Sequence, residues 1–190
     1  MHLADIAETQ SGYTFRSRLE PEPTGDISVV QMKDISDSNR LELDEVIRTS
    51  LPGGKPKRHL LQPGDLLFRS RGRSYGAALV PEQIGSAVLA APLLRIRPTK
   101  VIPEYLYWFI NTPGVQERLA ALATGTSVQM ITTDALKSLD VPVPSLARQR
   151  AIAHAAALAE REQALMQGIA ARRKTLATHI LMNIAIEAKS

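Results

Sequence analysis

Val141-Pro142-Val143-Pro144-Ser145, followed from residue 146 to 188 by LARQRAIAHAAALAEREQALMQGIAARRKTLATHILMNIAIEA, divides the sequence into two unlike parts. Alternating prolines stop regular structure, and Ser145 is a good helix N-cap. Beyond it there is no proline and one glycine, Gly168, while alanine, leucine, glutamate, glutamine and arginine abound. Ile152, Ala155, Leu158, Leu165, Ile169, Leu176, Ile180 and Ile184 keep a three-or-four-residue step, interrupted by Glu162 and Arg172. That period predicts one helix of roughly 40 residues, about 60 Å long at 1.5 Å per residue. A helix of that length needs a partner for its apolar stripe. The partner is another copy, another subunit, or a second helix after a break at Gly168. Ile152, Leu158, Leu165, Ile169, Leu176 and Ile180 are the residues expected to make this coiled-coil contact.

Upstream, short β-rich runs alternate with turns. Ile27 to Gln31 and Asp44 to Thr49 read as strands, the second closed by Leu51-Pro52-Gly53-Gly54. Pro63-Gly64-Asp65 turns the chain into Leu66-Leu67-Phe68, and Gly76 to Val80 and Ser86 to Arg97 supply further strands. Turns this close together predict a curled sheet rather than βαβ units. Pro103 to Asn111, Pro113 to about Ala123 and a short segment from Thr132-Thr133-Asp134 read as helices, the first crowded with aromatic residues for the core. The expected fold is α+β: a β-rich domain with a few short helices over 1–145, then one long coiled-coil-type helix over 146–190.

Charge distribution says more than the formal net charge of +4. Residues 1–145 carry 16 Lys/Arg and 16 Asp/Glu, yet Lys55, Lys57, Arg58, Arg69, Arg71 and Arg73 are opposed in their stretch only by Asp65. A domain neutral overall but basic in one place is suited to an anion on one face; the alternative is an ordinary solvated basic face. Arg69, Arg71 and Arg73 alternate, so along one strand they would share a face and contact DNA, or form a charged edge that resists aggregation. Lys55, Lys57 and Arg58 follow two glycines in a loop and suit phosphate contacts. Tyr75 can reach a base or sugar, or serve the core. Thr126, Ser127 and Gln129 lie between helices with small polar groups fit for a DNA groove, and Lys33 is a further candidate.

Catalytic signatures are few. Gly72-Arg73-Ser74-Tyr75-Gly76 matches G-x-S-x-G, but Ala77 to Pro81 is too short for the helix that a nucleophile elbow requires. There is no phosphate loop and no dinucleotide turn, and His2, His59, His154 and His179 never fall at metal-ligand spacing. The chain has no cysteine, which excludes thiolate nucleophiles and cysteine zinc sites. No catalytic residue, metal or cofactor is therefore expected. The Met1-His2-Leu3-Ala4-Asp5 start resembles no signal peptide and no apolar run is long enough for a membrane span, so a cytoplasmic protein is expected.

The order of several motifs resembles the specificity subunits of type I restriction-modification systems. Gln31-Met32-Lys33-Asp34-Ile35, after the run from Ile27, is similar to that family's strand followed by K-D-I. Leu61-Gln62-Pro63-Gly64-Asp65-Leu66-Leu67 with Arg71-Gly72 resembles its L-x-P-G-D-L-L turn and strand, and Tyr105-Leu106-Tyr107 with Phe109-Ile110 its aromatic helix. Gly125-Thr126-Ser127-Val128-Gln129, Ile131 and Leu136 to Pro144, then Gln149 and Ile152, resemble its closing run and the opening of its long helix. Val88-Leu89-Ala90-Ala91-Pro92 departs from the pattern by lacking an asparagine. Family members commonly carry two recognition domains and two helices, where one of each is read here, so the resemblance implies a half-subunit that homodimerises. It further implies a non-catalytic target recognition domain on double-stranded DNA, and a helix docking on a methyltransferase subunit that holds S-adenosylmethionine. Two-fold symmetry would then match a bipartite site. The alternative function is a coiled-coil protein-interaction adaptor that does not bind DNA.

Overall fold

A computed structural model describes residues 1–15, 19–50, 57–72, 74–125 and 128–187. It divides into two compact units, Met1–Arg150 and Ala151–Ser190.

The first unit is built on two sheets. Strands β1 (Ala7–Ser11), β4 (Leu66–Arg69), β5 (Ala77–Leu79) and β7 (Leu93–Pro98) form an antiparallel sheet in the order β1-β7-β4-β5. Strands β2 (Ile27–Val30), β3 (Ile47–Thr49) and β6 (Ala87–Leu89) form the second, in the order β3-β2-β6, with β2 and β6 parallel. Alternation along β2 explains why this small sheet is apolar on both faces. Ile27 and Val29 join Val88 and Ala90 in one cluster. Val30, Ala87 and Leu89 point the other way and meet Leu67, Ala78 and Leu93 of the larger sheet. The core thus lies between the sheets.

The opposite face of the larger sheet carries Leu66, Phe68 and Ile96, all fully buried. Helix α2 (Pro103–Ile110) packs against β5 and β7 with Tyr105, Leu106, Phe109 and Ile110 buried. Pro103 occupies its first turn, where a missing N–H costs no helical hydrogen bond. The Tyr105 hydroxyl, its pKa raised by burial, donates to the Pro142 carbonyl at 2.6 Å. Helices α3 (Pro113–Leu122) and α4 (Thr133–Lys137) follow, and a short α1 (Leu3–Ile6) precedes β1. Two amide side chains clasp the chain entering β5. Asn111 donates to the Ala77 carbonyl and accepts from the Ala77 N–H at 2.9 and 3.0 Å. Gln116 does the same for Tyr75 at 3.1 and 3.2 Å.

Helix α5 (Leu146–Glu187) runs 42 residues without interruption, so the break considered at Gly168 does not occur. Its first turn belongs to the first unit. Gln149, 1% exposed, accepts from the Ile102 N–H at 2.9 Å and donates to the Pro144 carbonyl at 2.8 Å. From Leu158 onward the apolar residues of the stripe, Leu158, Leu165, Ile169, Leu176 and Ile180, are all exposed. No described helix is long and apolar enough to cross a membrane.

The α+β reading and the long helix agree with this architecture. One strand-level expectation is corrected: Ser86 to Arg97 is two strands, β6 and β7, separated by a turn through a cis Ala91-Pro92 bond. The strand that would have aligned Arg69, Arg71 and Arg73 also ends sooner than expected, at Arg69.

Candidate nucleic-acid interface

Two adjoining hollows open on the first unit. One, of about 830 Å³, is lined by Tyr13, Thr14, Phe15, Gln31, Met32 and Lys33 among others. The second, of about 630 Å³, is lined by Ser70, Arg71, Met130, Ile131, Thr132 and Thr133, with Ser11 at its margin. Thr14, Ala91 and Pro92 line both, so the two hollows adjoin, and together they are taken as one groove.

Local hydrogen bonding builds its floor. The chain leaving β1 passes hard against the turn after β6. A Cβ on Gly12 would lie 2.5 Å from the Ala90 carbonyl carbon, so only glycine permits the approach. Tyr13 then bridges this turn, donating to Leu89 at 2.6 Å and accepting from Ala91 at 3.0 Å. The Ser70 hydroxyl donates to the Pro92 carbonyl at 2.6 Å, tying the end of β4 to the same turn. Ile131 N–H donates to Ser70 at 2.8 Å, and Thr124 and Met130 exchange backbone hydrogen bonds. Gly125, at φ 126°, supplies the left-handed backbone this excursion needs. Arg71 forms a bridge to Met130, so the segment after α3 is docked beside it.

The sequence candidates fall into distinct groups. Arg71 and Gln129 are exposed, Arg71 lining the groove and Gln129 beside Met130. Lys33 lines the other end, where it pairs with Asp34 at 2.7 Å and donates to the Glu45 carbonyl at 3.3 Å. Met32, which lines the first hollow, has its methyl 3.7 Å from the Cβ position of Gly72, the neighbour of Arg71. Arg58 is exposed but lines a separate hollow with Gln10, Arg95 and Lys137. Lys57 opens a short 3-10 turn, Lys57–His59, and its side chain lies outside the described residues. Lys55, Arg73, Thr126 and Ser127 lie outside them altogether.

Two candidates are turned inward. Arg69 is 8% exposed and donates to the carbonyls of Ile35 and Ser36 and to the Ser74 hydroxyl. It shares its face of β4 with Leu67, which points into the space between the sheets, so alternation carries the guanidinium inward. Burial lowers its pKa, and Asp37 offsets part of that. The expectation of a common exposed face with Arg71 is thereby corrected. Tyr75 is likewise buried, with its backbone held by Gln116. Ser74 is followed by strand β5 and not by a helix, so the nucleophile-elbow geometry is absent. Among the described residues no group of three or more His, Cys, Asp or Glu side chains is placed to hold a metal.

The sequence reading passed over Thr14, Gln31, Thr132 and Thr133, which line the groove. It also passed over two inward arginines of β7. Arg97 chelates Asp65 at 2.6 and 2.7 Å, which raises the Arg97 pKa. Arg95, its pKa lowered by burial and by Arg97, donates to the Arg58 carbonyl at 3.1 Å. The Arg95/Arg97 alternation was a signal for a shared face, though not for which face.

The sequence profile of the type I restriction modification DNA specificity domain matches residues 1–171. No curated protein matches the sequence. Solved structures similar to this chain include one from work on complex assembly and conformational transition of the type I R-M system, with TM-score 0.62, 16% identity, and coverage of 87% of this chain and 38% of that one. The HsdS subunit from Thermoanaerobacter tengcongensis gives TM-score 0.61 at 20% identity, covering 86% of this chain and 37% of its own. A type I restriction-modification S subunit from M. genitalium gives 0.54 at 18%, covering 85% and 38%. At these identities the likeness is one of fold. The chain spans under two-fifths of the length of these structures.

Proposed function

The chain belongs to the type I restriction modification DNA specificity domain family, and we propose that it is a non-catalytic specificity subunit that reads double-stranded DNA through the groove between Lys33 and Arg71. The observation behind this reading is the pair of adjoining hollows, with Lys33 lining one, Arg71 the other, and Gln31, Thr14, Thr132 and Thr133 among their linings. Lysine and arginine suit phosphates, whereas amide and hydroxyl groups suit base edges. Arg71 and Gln129 project from the segments that Met130 fastens together, and Arg71 is the stronger phosphate candidate because Asp34 already neutralises Lys33.

In this reading α5 joins two copies of the chain and docks on a methyltransferase subunit. That subunit holds S-adenosylmethionine and performs the transfer, and the two copies together read a bipartite site. The test is fluorescence anisotropy on duplex DNA with the methyltransferase subunit present, across a salt series. Sequence-selective binding that weakens steeply with salt is expected. Equal affinity for every duplex, or none for any, would reject the reading in favour of a protein-interaction adaptor.

A further inference from the structure

The hollow that Arg58 lines, of about 410 Å³, lies against β1, the outer strand of the larger sheet. Three cations, Arg58, Arg95 and Lys137, line it against one acid, Glu8. Its hydrogen bonding is incomplete. Arg95 is 7% exposed and its Nη1 donates to the Arg58 and Leu60 carbonyls at 3.1 and 3.5 Å. Its Nε is buried and has no partner among the described residues, and the same holds for the hydroxyl of Thr9, which also lines the hollow. Buried polar atoms are normally paired, so two orphans beside one hollow mark a place that lacks a ligand. The charge is unmatched too. Arg58 is exposed, and Lys137 meets only Asp134, at 3.6 Å, whose side chain is 95% exposed. The Gln10 amide reaches His59 at 3.2 Å, and the pKa of that imidazole is lowered by burial, then by Arg58 and Arg95.

We propose that this hollow is a phosphate-binding site, with Arg95 as a fixed charge at its floor and Arg58 and Lys137 closing on the anion from its rim. Its place suits a phosphate of the DNA backbone. Ser11 and Thr133 line the groove, while Gln10, the next residue on β1, and Lys137, about one turn further along α4, line this hollow. Each strand of a duplex carries one charge per roughly 3.4 Å of helix axis, so DNA seated in the groove brings phosphates past its end. Guanidinium and ammonium groups without acidic partners hold such a group without reading sequence. A free phosphate has the same chemistry and would use the same three cations. The DNA reading therefore supplies the source of the phosphate and not the site.

The test compares the full-length chain with a double variant, Arg58→Gln with Lys137→Gln, which spares the buried Arg95. In the first arm, thermal unfolding is followed by Trp108 fluorescence in about 10 mM inorganic phosphate, against chloride at equal ionic strength. Phosphate should raise the Tm of the parent by roughly 2 °C or more, and the double variant should lose most of that rise. In the second arm, affinity for duplex DNA is measured across a salt series with the methyltransferase subunit present. The double variant should lower the salt slope by about one and weaken binding severalfold for every sequence alike. Arg40→Gln with Arg118→Gln, the same charge change at exposed arginines outside the hollow, should lower the slope by less than half as much. Losses in both arms support a DNA phosphate in the hollow, and a lower slope without a thermal shift restricts the site to the diester. A thermal shift lost by the double variant at unchanged slope keeps the site and gives it to a free phosphate. A thermal shift that the double variant retains in full, or no shift in the parent with an unchanged slope, would overturn the proposal. An equal fall in slope for the Arg40 and Arg118 variant would remove DNA from the hollow. A parent that shifts with phosphate but binds no DNA keeps the site and ends the DNA reading.

Discussion

Leu67 and Leu165 are the same residue under opposite circumstances: the first is 0% exposed, the second 60%. The first unit covers its own apolar surface, with two sheets and α2 closing over one another. The second carries its apolar residues exposed along a single helix. The arginines repeat the contrast within the first unit. Arg69, Arg95 and Arg97 fasten segments 35–36, 58–60 and Asp65 from inside, while Arg71, two residues past the end of that fastening, faces the groove. Residue type does not assign the role; what lies over the side chain does.

The contrast can be broken most severely in the core. Phe68→Ala should cost about 3–5 kcal/mol in urea unfolding. Trp108, the one tryptophan, sits on α2 and reports on the first unit by its fluorescence. Leu165→Ala should leave that midpoint unmoved, so a comparable loss would end the distinction between the two regions. Arg69→Ala should come next, at about 2–3 kcal/mol, because it removes the buried donor to the Ile35 carbonyl, whereas Ser36 keeps its bond from the Asn39 N–H. Arg71→Ala sharpens the comparison from the other side. Stability should change by less than about 0.5 kcal/mol, while DNA affinity falls roughly tenfold and the salt slope drops by about one. Destabilisation by Arg71→Ala equal to that of Arg69→Ala would make it another fastener.

The smallest effect is one of pH. Burial, then the charges of Arg58 and Arg95, holds the His59 pKa below its ordinary value of about 6.5. The unfolded chain therefore takes up the proton first as pH falls. The stability tied to neutral His59 is complete above about pH 6.5 and is lost as pH falls from there through the lower folded value. His59→Gln should flatten the unfolding midpoint between about pH 7 and 5; an unchanged slope would discount His59 as its source.

Sequence legibility followed the same divide. Strands β2, β4 and β5 and helices α2, α3 and α5 announce themselves, because proline, glycine and apolar periodicity are local signals. Strand β1, Ala7-Glu8-Thr9-Gln10-Ser11, has no β-branched run to show it, and its conformation comes from pairing with β7. The groove was half legible. Lys33, Arg71 and Gln129 were visible as charge and polarity, but Thr14 and Thr132 reach it only through the turn that Tyr13 and Ser70 hold. Arg69 was misread because alternation predicts a shared face without saying whether that face is wet or dry.

The paired amides of Asn111 and Gln116 have a consequence for how the protein behaves at high concentration. Tyr75 and Ala77 would otherwise present a short ladder of unpaired N–H and C=O groups, a template on which a strand from any neighbouring molecule could grow. By occupying both rungs from within, the two side chains satisfy the backbone of Tyr75 and Ala77 on that flank. Self-association is thereby steered away from strand addition on this side, where any sequence of the right conformation fits.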